Sequence, residues 1–226
     1  MRTFLKIKIF CQYFSQRVSF ASLLTLQKHQ AGQIASKDVW STVYNNMFTK
    51  EMLYLYRSKD LEMAPTITPE DTLVIRRFPT VNSSSHPLVK EHLPQINVGD
   101  VVVLQDPSNS KNYIIRRLAA VEGHEMVSTN EDDEPFVIEE GQGWVLADKK
   151  SLSPKESKDS RTYGPISMSD IVGRIVYRFR TLDDHGFMRN NKLSRTYDMP
   201  ILYMELDSEV MLRFADEGKQ TKSSKD

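Results

Sequence analysis

Apolar residues recur with helical spacing in one stretch near the amino terminus. They lie three and four positions apart between residues 39 and 56, beginning with Val39 and Val43. This spacing predicts an amphipathic helix within residues 38–59. Such a helix lies either on a membrane surface or against the rest of the protein. The acidic residues Asp38 and Glu51 leave both possibilities open.

From residue 63 onwards, short β-type runs replace the helical spacing. The runs lie at 72–76, 101–104, 113–118, 126–128, 144–146 and 171–177. Because turn-forming residues separate several of them, we predict a mainly β domain over residues 60–180, a β-barrel or sandwich. The polar stretches 81–95 and 149–161 are expected to be exposed loops. Residues 181–226 are expected to form a C-terminal extension with one strand at 201–205 and a flexible, partly disordered tail.

The first 37 residues contain basic side chains but no acidic ones. This composition is typical of organellar transit peptides, and equally of basic disordered tails, so the sequence leaves both interpretations of residues 1–37 open. The most apolar run in this segment, residues 18–26, is shorter than the ~20 residues that a membrane-spanning helix needs.

Composition excludes several functional classes. The 226 residues include 30 basic and 30 acidic side chains, and this balance argues against a nucleic-acid partner. One cysteine and five scattered histidines provide neither a disulfide framework nor spaced metal ligands. We therefore predict no metal site and no cofactor.

Four motifs follow one another along the predicted β domain. They are MAPTI at 63–67, GDVVV at 99–103, IRRL at 115–118 and SKDSRTYGP at 157–165. In this order they resemble motifs of the type I signal peptidases, and most closely those of the mitochondrial inner-membrane protease subunits. The last motif is the most specific, because nine residues in register rarely arise by chance.

The resemblance implies a Ser/Lys catalytic dyad, yet both of its positions are substituted here. The family's serine nucleophile precedes the methionine of the first motif, where this chain has Glu62, and its lysine general base corresponds to Arg116. Arginine cannot act as a base, since the pKa of its guanidinium lies above ~12. Glutamate is a poor nucleophile towards a peptide bond. These two positions are therefore predicted to be inactive, and their opposite charges suggest an ion pair.

Other site residues are also implied by the resemblance. In the family, Asp159, Ser160 and Arg161 support the lysine and the substrate groove, and here we expect them to retain a role in folding. The groove, with Met63 and Pro65, would bind an extended peptide as an added strand. Ser58 and Lys59 are not expected to form a displaced dyad, because adjacent side chains diverge.

Three hypotheses for function follow. The favoured one is a catalytically inactive binding or assembly subunit of an organellar membrane complex, at the mitochondrial inner membrane or, alternatively, in a plastid. Its expected partners are protein subunits, including an active protease subunit, and extended peptide segments if the groove is open. The alternatives are an active serine-type endopeptidase that processes signal or presequence peptides, and a soluble regulatory module that retains the fold.

Overall fold

A computed structural model describes residues 2–59, 61–79, 95–127 and 134–206. Its helices are α1 (Arg2–Gln30), α2 (Val39–Thr49), α3 (Pro154–Ser157), α4 (Ser160–Tyr163) and α5 (Lys192–Glu205). Its strands are β1 (Leu53–Arg57), β2 (Thr72–Arg77), β3 (Val101–Asp106), β4 (Asn109–Val121), β5 (Glu125–Met126), β6 (Phe136–Val137), β7 (Gln142–Leu146), β8 (Ile166–Ser167), β9 (Ile171–Phe179) and β10 (His185–Phe187).

Eight strands form one antiparallel sheet in the order β1-β2-β9-β3-β4-β7-β8, with β10 paired to β9. The predicted mainly β fold is confirmed. The long central strand β9 pairs with β2 along one edge and with β3 and β10 along the other. A close approach occurs at Gly173, where a Cβ atom would lie 2.6 Å from the carbonyl oxygen of Arg76. Any side chain at this position would push β2 and β9 apart.

Apolar side chains are buried on both faces of the sheet. On one face Ile115 packs in a cluster with Met63, Ile67 and residues of β2, β3 and β9. On the other face Ile114 and Leu118 pack with Phe78, Val145 and Ile171. Successive side chains of a strand point to opposite faces, so β4 contributes to both cores.

Helices α1, α2 and α5 pack beside the sheet. The Asn46 side chain donates to Thr25 Oγ1 at 3.0 Å, and Arg17 Nε donates to the Met47 carbonyl at 2.8 Å, which fixes α2 antiparallel against the second half of α1. Gln16 of α1 donates to the carbonyl of Tyr197 in α5 at 2.9 Å. No helix among the described residues is long and apolar enough to cross a membrane.

Several predicted elements differ from the structure. The helix predicted within residues 38–59 ends at Thr49, because residues 53–57 pair with β2 as a strand. The basic segment 1–37 contains the 29-residue helix α1. The strand predicted at 201–205 belongs to helix α5, whose first turn is capped by Asn191.

Two segments were predicted to be exposed loops, and the structure describes only one of them in full. The loop predicted at 149–161 contains α3 and the first half of α4, and Ser157, Asp159 and Ser160 are buried there rather than exposed. The loop predicted at 81–95 lies outside the described residues except for Gln95, and the predicted flexible tail lies outside them beyond residue 206.

Candidate functional site

The segment that carries Glu62 and Met63 connects β1 to β2. Met63 and Ile67 anchor it, because both side chains are buried in the sheet core. Asp71 closes its far end by accepting from the Thr68 backbone N–H at 2.8 Å. The carbonyl of Glu62 accepts from the Lys149 N–H at 2.9 Å. The position of the family's nucleophile is thus held between the sheet and the segment that leads into α3.

Arg116 lies on β4 with its side chain 1% exposed. Its guanidinium donates three hydrogen bonds to backbone carbonyls: Nε to Lys158 at 3.1 Å, Nη2 to Ser157 at 2.7 Å and Nη1 to Ile115 at 2.5 Å. Two of these acceptors belong to the motif SKDSRTYGP. Arg116, at the position predicted for the general base, is therefore a buried cation that joins β4 to the junction of α3 and α4.

The predicted ion pair between Glu62 and Arg116 is not formed. Neither the salt bridges nor the hydrogen bonds of the described residues join the two side chains. One carboxylate oxygen of Glu62, Oε2, is buried without a hydrogen-bond partner among those residues. The two substitutions are thus independent, since Arg116 is satisfied by carbonyl groups instead of a carboxylate.

Asp159 organises the turn between α3 and α4. Its Oδ2 accepts from the Ala147 N–H at 3.0 Å and from Arg161 Nη2 at 2.7 Å, while Ser160 Oγ accepts from the Val145 N–H at 2.9 Å. Burial opposes ionisation of Asp159, but the hydrogen bonds from Arg161 and Ala147 outweigh it and lower the pKa of this carboxyl group. The three residues predicted from the motif therefore lie together, and hydrogen bonds join Asp159 and Ser160 to the backbone at the end of β7.

The lowered pKa of Asp159 predicts a measurable acid sensitivity. A carboxylate whose folded pKa is lowered stabilises the protein above its unfolded pKa of about 3.9, and this contribution is lost as the pH falls through the folded pKa. We expect Asp159→Asn to be less stable than the unmodified protein at neutral pH, with the difference shrinking below about pH 4. Urea unfolding at several pH values measures this difference, and a constant gap down to pH 2 would contradict it.

Tyr163 packs near the guanidinium of Arg116. Burial raises the pKa of Tyr163 to about 12, and the positive charge of Arg116 acts in the opposite direction. The phenol therefore stays neutral at physiological pH and cannot supply a base at this site.

A groove of about 460 Å³ lies between β1 and β4, and Leu24 and Gln27 of α1 also line it. Tyr54 and Tyr56 line one wall and Tyr113 and Ile115 the other, while residues of β2, β3 and β9 form the floor. Alternate residues of each strand therefore face the groove. Neither predicted groove residue lines it. Met63 is buried beneath it in the core, and Pro65 lines a separate cavity beside β10.

The groove lies at two strand edges that lack a partner among the described residues. β1 pairs with β2 alone, at the end of the sheet order. β4 pairs with β7 only from Arg117 onwards, which leaves the edge of residues 109–116 without a strand on that side. Such edges can accept an extended peptide.

The described residues provide no alternative dyad. Ser58 is 2% exposed, whereas its neighbour Lys59 is exposed to solvent, as expected for adjacent side chains. No lysine among the described residues is buried. The described histidine, cysteine, aspartate and glutamate residues contain no group suited to a metal ion.

A buried charge network between α5 and the sheet was not predicted from the sequence. Asp198 of α5 lies between Arg174 of β9 and Arg76 of β2. Arg174 donates to it through Nε at 2.7 Å and Nη2 at 2.9 Å, and Arg76 through Nη1. Arg174 also donates to Asp100 at 2.9 Å. Asp100 belongs to the motif GDVVV, but Asp198 could not be recognised while its segment was predicted to be partly a strand.

Comparisons with known proteins were made on the whole chain. No protein-family model matches it. It is 40% identical over 208 residues to the mitochondrial ATP-independent inner membrane protease subunit 2 of Arabidopsis thaliana, which covers 92% of this chain and 97% of that protein. It is 32% identical over 106 residues to the mitochondrial inner membrane protease subunit 1 of Mus musculus, over 46% of this chain and 61% of that protein.

The chain is also similar to solved structures. One of them is the crystal structure of a signal peptidase I from Enterococcus faecalis V583, with a TM-score of 0.27 and 20% identity over 35% of this chain and 96% of that chain. The match to the plant protein, by contrast, extends over nearly the full length of both sequences.

Proposed function

This chain belongs to the mitochondrial inner membrane protease subunits of the signal peptidase family, and we propose that it is a catalytically inactive member that binds extended peptides. It acts at the mitochondrial inner membrane as a binding or assembly subunit. Its partners are the protein subunits of a membrane complex, among them an active protease subunit. The related proteins are themselves named as subunits, which supports this assembly role.

The main support for the proposal is that Arg116 is a buried, charged guanidinium. A Ser/Lys dyad needs a base that gives up its proton near neutral pH, and a guanidinium does not do so in a protein. The three carbonyl acceptors around Arg116 stabilise its charged form further. Attack by the Glu62 carboxylate on a peptide carbonyl would have to expel the amine from the tetrahedral intermediate and would leave a reactive mixed anhydride, so the carboxylate does not replace serine.

Peptide binding is supported by the groove between β1 and β4. A peptide that enters it as a strand can hydrogen-bond to both open edges, and its alternate side chains would meet the apolar floor. Residues of β1 and β4 that face the groove are aromatic or aliphatic. The groove therefore favours peptides with apolar residues at alternate positions.

Substitution of Tyr113 tests whether the groove is the peptide-binding site. This side chain is 56% exposed at the rim, so its removal leaves the core intact. We expect Tyr113→Ala to weaken the binding of a fluorescent peptide with alternating apolar residues about tenfold. Tyr203→Ala is the matched control, because Tyr203 is similarly exposed, at 63%, on α5 and does not line the groove. Equal affinity for both variants would exclude this groove as the binding site.

A further inference from the structure

Seven of the described large apolar side chains of α1 and α2 face solvent, Leu26 and a set of six. The exposed fractions of the six range from 47% for Phe14 to 82% for Trp40. The set comprises Ile7, Phe10, Phe14, Trp40, Tyr44 and Phe48. We call it the aromatic face. None of these six residues belongs to the four motifs or lines the peptide groove.

The aromatic face comprises one stripe of side chains on each helix, with Phe10 and Phe14 stacked in α1 and Tyr44 against Phe48 in α2. Trp40, Tyr44 and Phe48 are four residues apart and so follow one side of α2. The hydrogen bond of 2.8 Å from Arg17 to the Met47 carbonyl places the last turn of α2 beside Arg17. Phe14 lies three residues before Arg17 and therefore on the same side of α1. The stripe of exposed side chains on α1 therefore leads towards the last turn of α2.

Basic side chains accompany the aromatic face. Residues 6–51 contain six basic and two acidic side chains, although the whole chain has no net charge. Lys6, Lys8, Lys37 and Lys50 are all exposed. Among the residues that the structure describes, Arg17 is the only one of these six that forms a salt bridge, with Glu205 at 2.8 Å. This end of the molecule is therefore positively charged as well as apolar.

This combination points to a lipid surface as the occupant. Tryptophan and tyrosine are enriched at membrane–water interfaces, and lysines next to them attract anionic headgroups. Protein interfaces, by contrast, are depleted in lysine. We propose that the aromatic face is a membrane-docking surface, by which the helical pair lies on an anionic phospholipid bilayer with its rings inserted. This inference is independent of peptide binding in the groove.

Vesicle flotation of the full-length protein tests the proposal. Vesicles of phosphatidylcholine with about one third phosphatidylglycerol should bind the protein, and vesicles of phosphatidylcholine alone should bind it more weakly, since the lysines contribute through charge. Trp40→Ser/Tyr44→Ser/Phe48→Ser should reduce partitioning about a hundredfold. The matched control replaces three other exposed apolar residues, Val137, Leu182 and Leu193, with serine and should bind like the unmodified protein.

Fluorescence of Trp40 provides a second readout that does not depend on the folding of a triple variant. The chain has two tryptophans, and Trp144→Phe leaves Trp40 as the only one. Emission from Trp40 should shift to shorter wavelength when anionic vesicles are added, because the indole leaves water. Binding without this shift, equal loss of binding in the control variant, or no binding to anionic vesicles would each overturn the proposal.

Discussion

Asp198→Asn is expected to lower the free energy of unfolding by about 3–5 kcal/mol, because it leaves two buried arginines with Asp100 as the one remaining carboxylate of their network. Arg174 and Arg76 are 0% and 2% exposed, so water cannot replace the lost carboxylate. Asp198 also connects α5 to the sheet, and its loss should release this helix. Urea unfolding gives the energy, and hydrogen exchange shows whether α5 opens first.

Asp184→Asn is the matched control. Asp184 likewise bonds to two arginines, Arg178 and Arg180, but its side chain is 45% exposed. Solvent screening limits such pairs to about 1 kcal/mol or less. Similar losses for the two variants would mean that burial does not set the strength of the network.

Arg116→Met is the second change with a large expected effect. It leaves the carbonyls of Ile115, Ser157 and Lys158 without the donor that they have in the structure. A buried polar group that loses its partner costs about 1–3 kcal/mol, so we expect a loss of about 3–5 kcal/mol in the free energy of unfolding.

Two further variants define the role of Arg116. Arg57→Met removes an arginine that is 56% exposed in its pair with Glu70, and should change stability by less than about 1 kcal/mol. Arg116→Lys keeps the charge but not the planar set of donors, and should fall between the unmodified protein and Arg116→Met. If Arg116→Met unfolds like the unmodified protein, the guanidinium does not hold the α3–α4 junction.

The β domain was predictable because its strands carry strong local signals. The runs 72–76, 101–104 and 171–177 all lie within observed strands, since β-branched residues concentrate there and turn residues separate them. β1 was missed because its apolar residues continue the three-and-four spacing of α2. Pairing with β2, a contact distant in sequence, decides its conformation.

The motifs indicated which residues lie near one another at the site, whereas contacts between residues distant in sequence could not be predicted. The motif SKDSRTYGP identified Asp159, Ser160 and Arg161, which the structure brings together at β7. The partner of Arg116 was predicted from charge alone. Backbone carbonyls can accept the hydrogen bonds of a buried guanidinium in place of a carboxylate, and a sequence does not reveal them because every residue has one. Asp198 was missed because its role depends on where α5 packs.

The central claim is that Glu62 and Arg116 leave this chain unable to cleave peptides. A cleavage assay of the purified full-length protein on presequence and signal-type peptides tests it most directly. An active signal peptidase shows that the substrates can be cleaved, and Glu62→Ser/Arg116→Lys restores the residue types of the dyad. We predict no turnover by the unmodified chain. Robust turnover by that chain would contradict the claim.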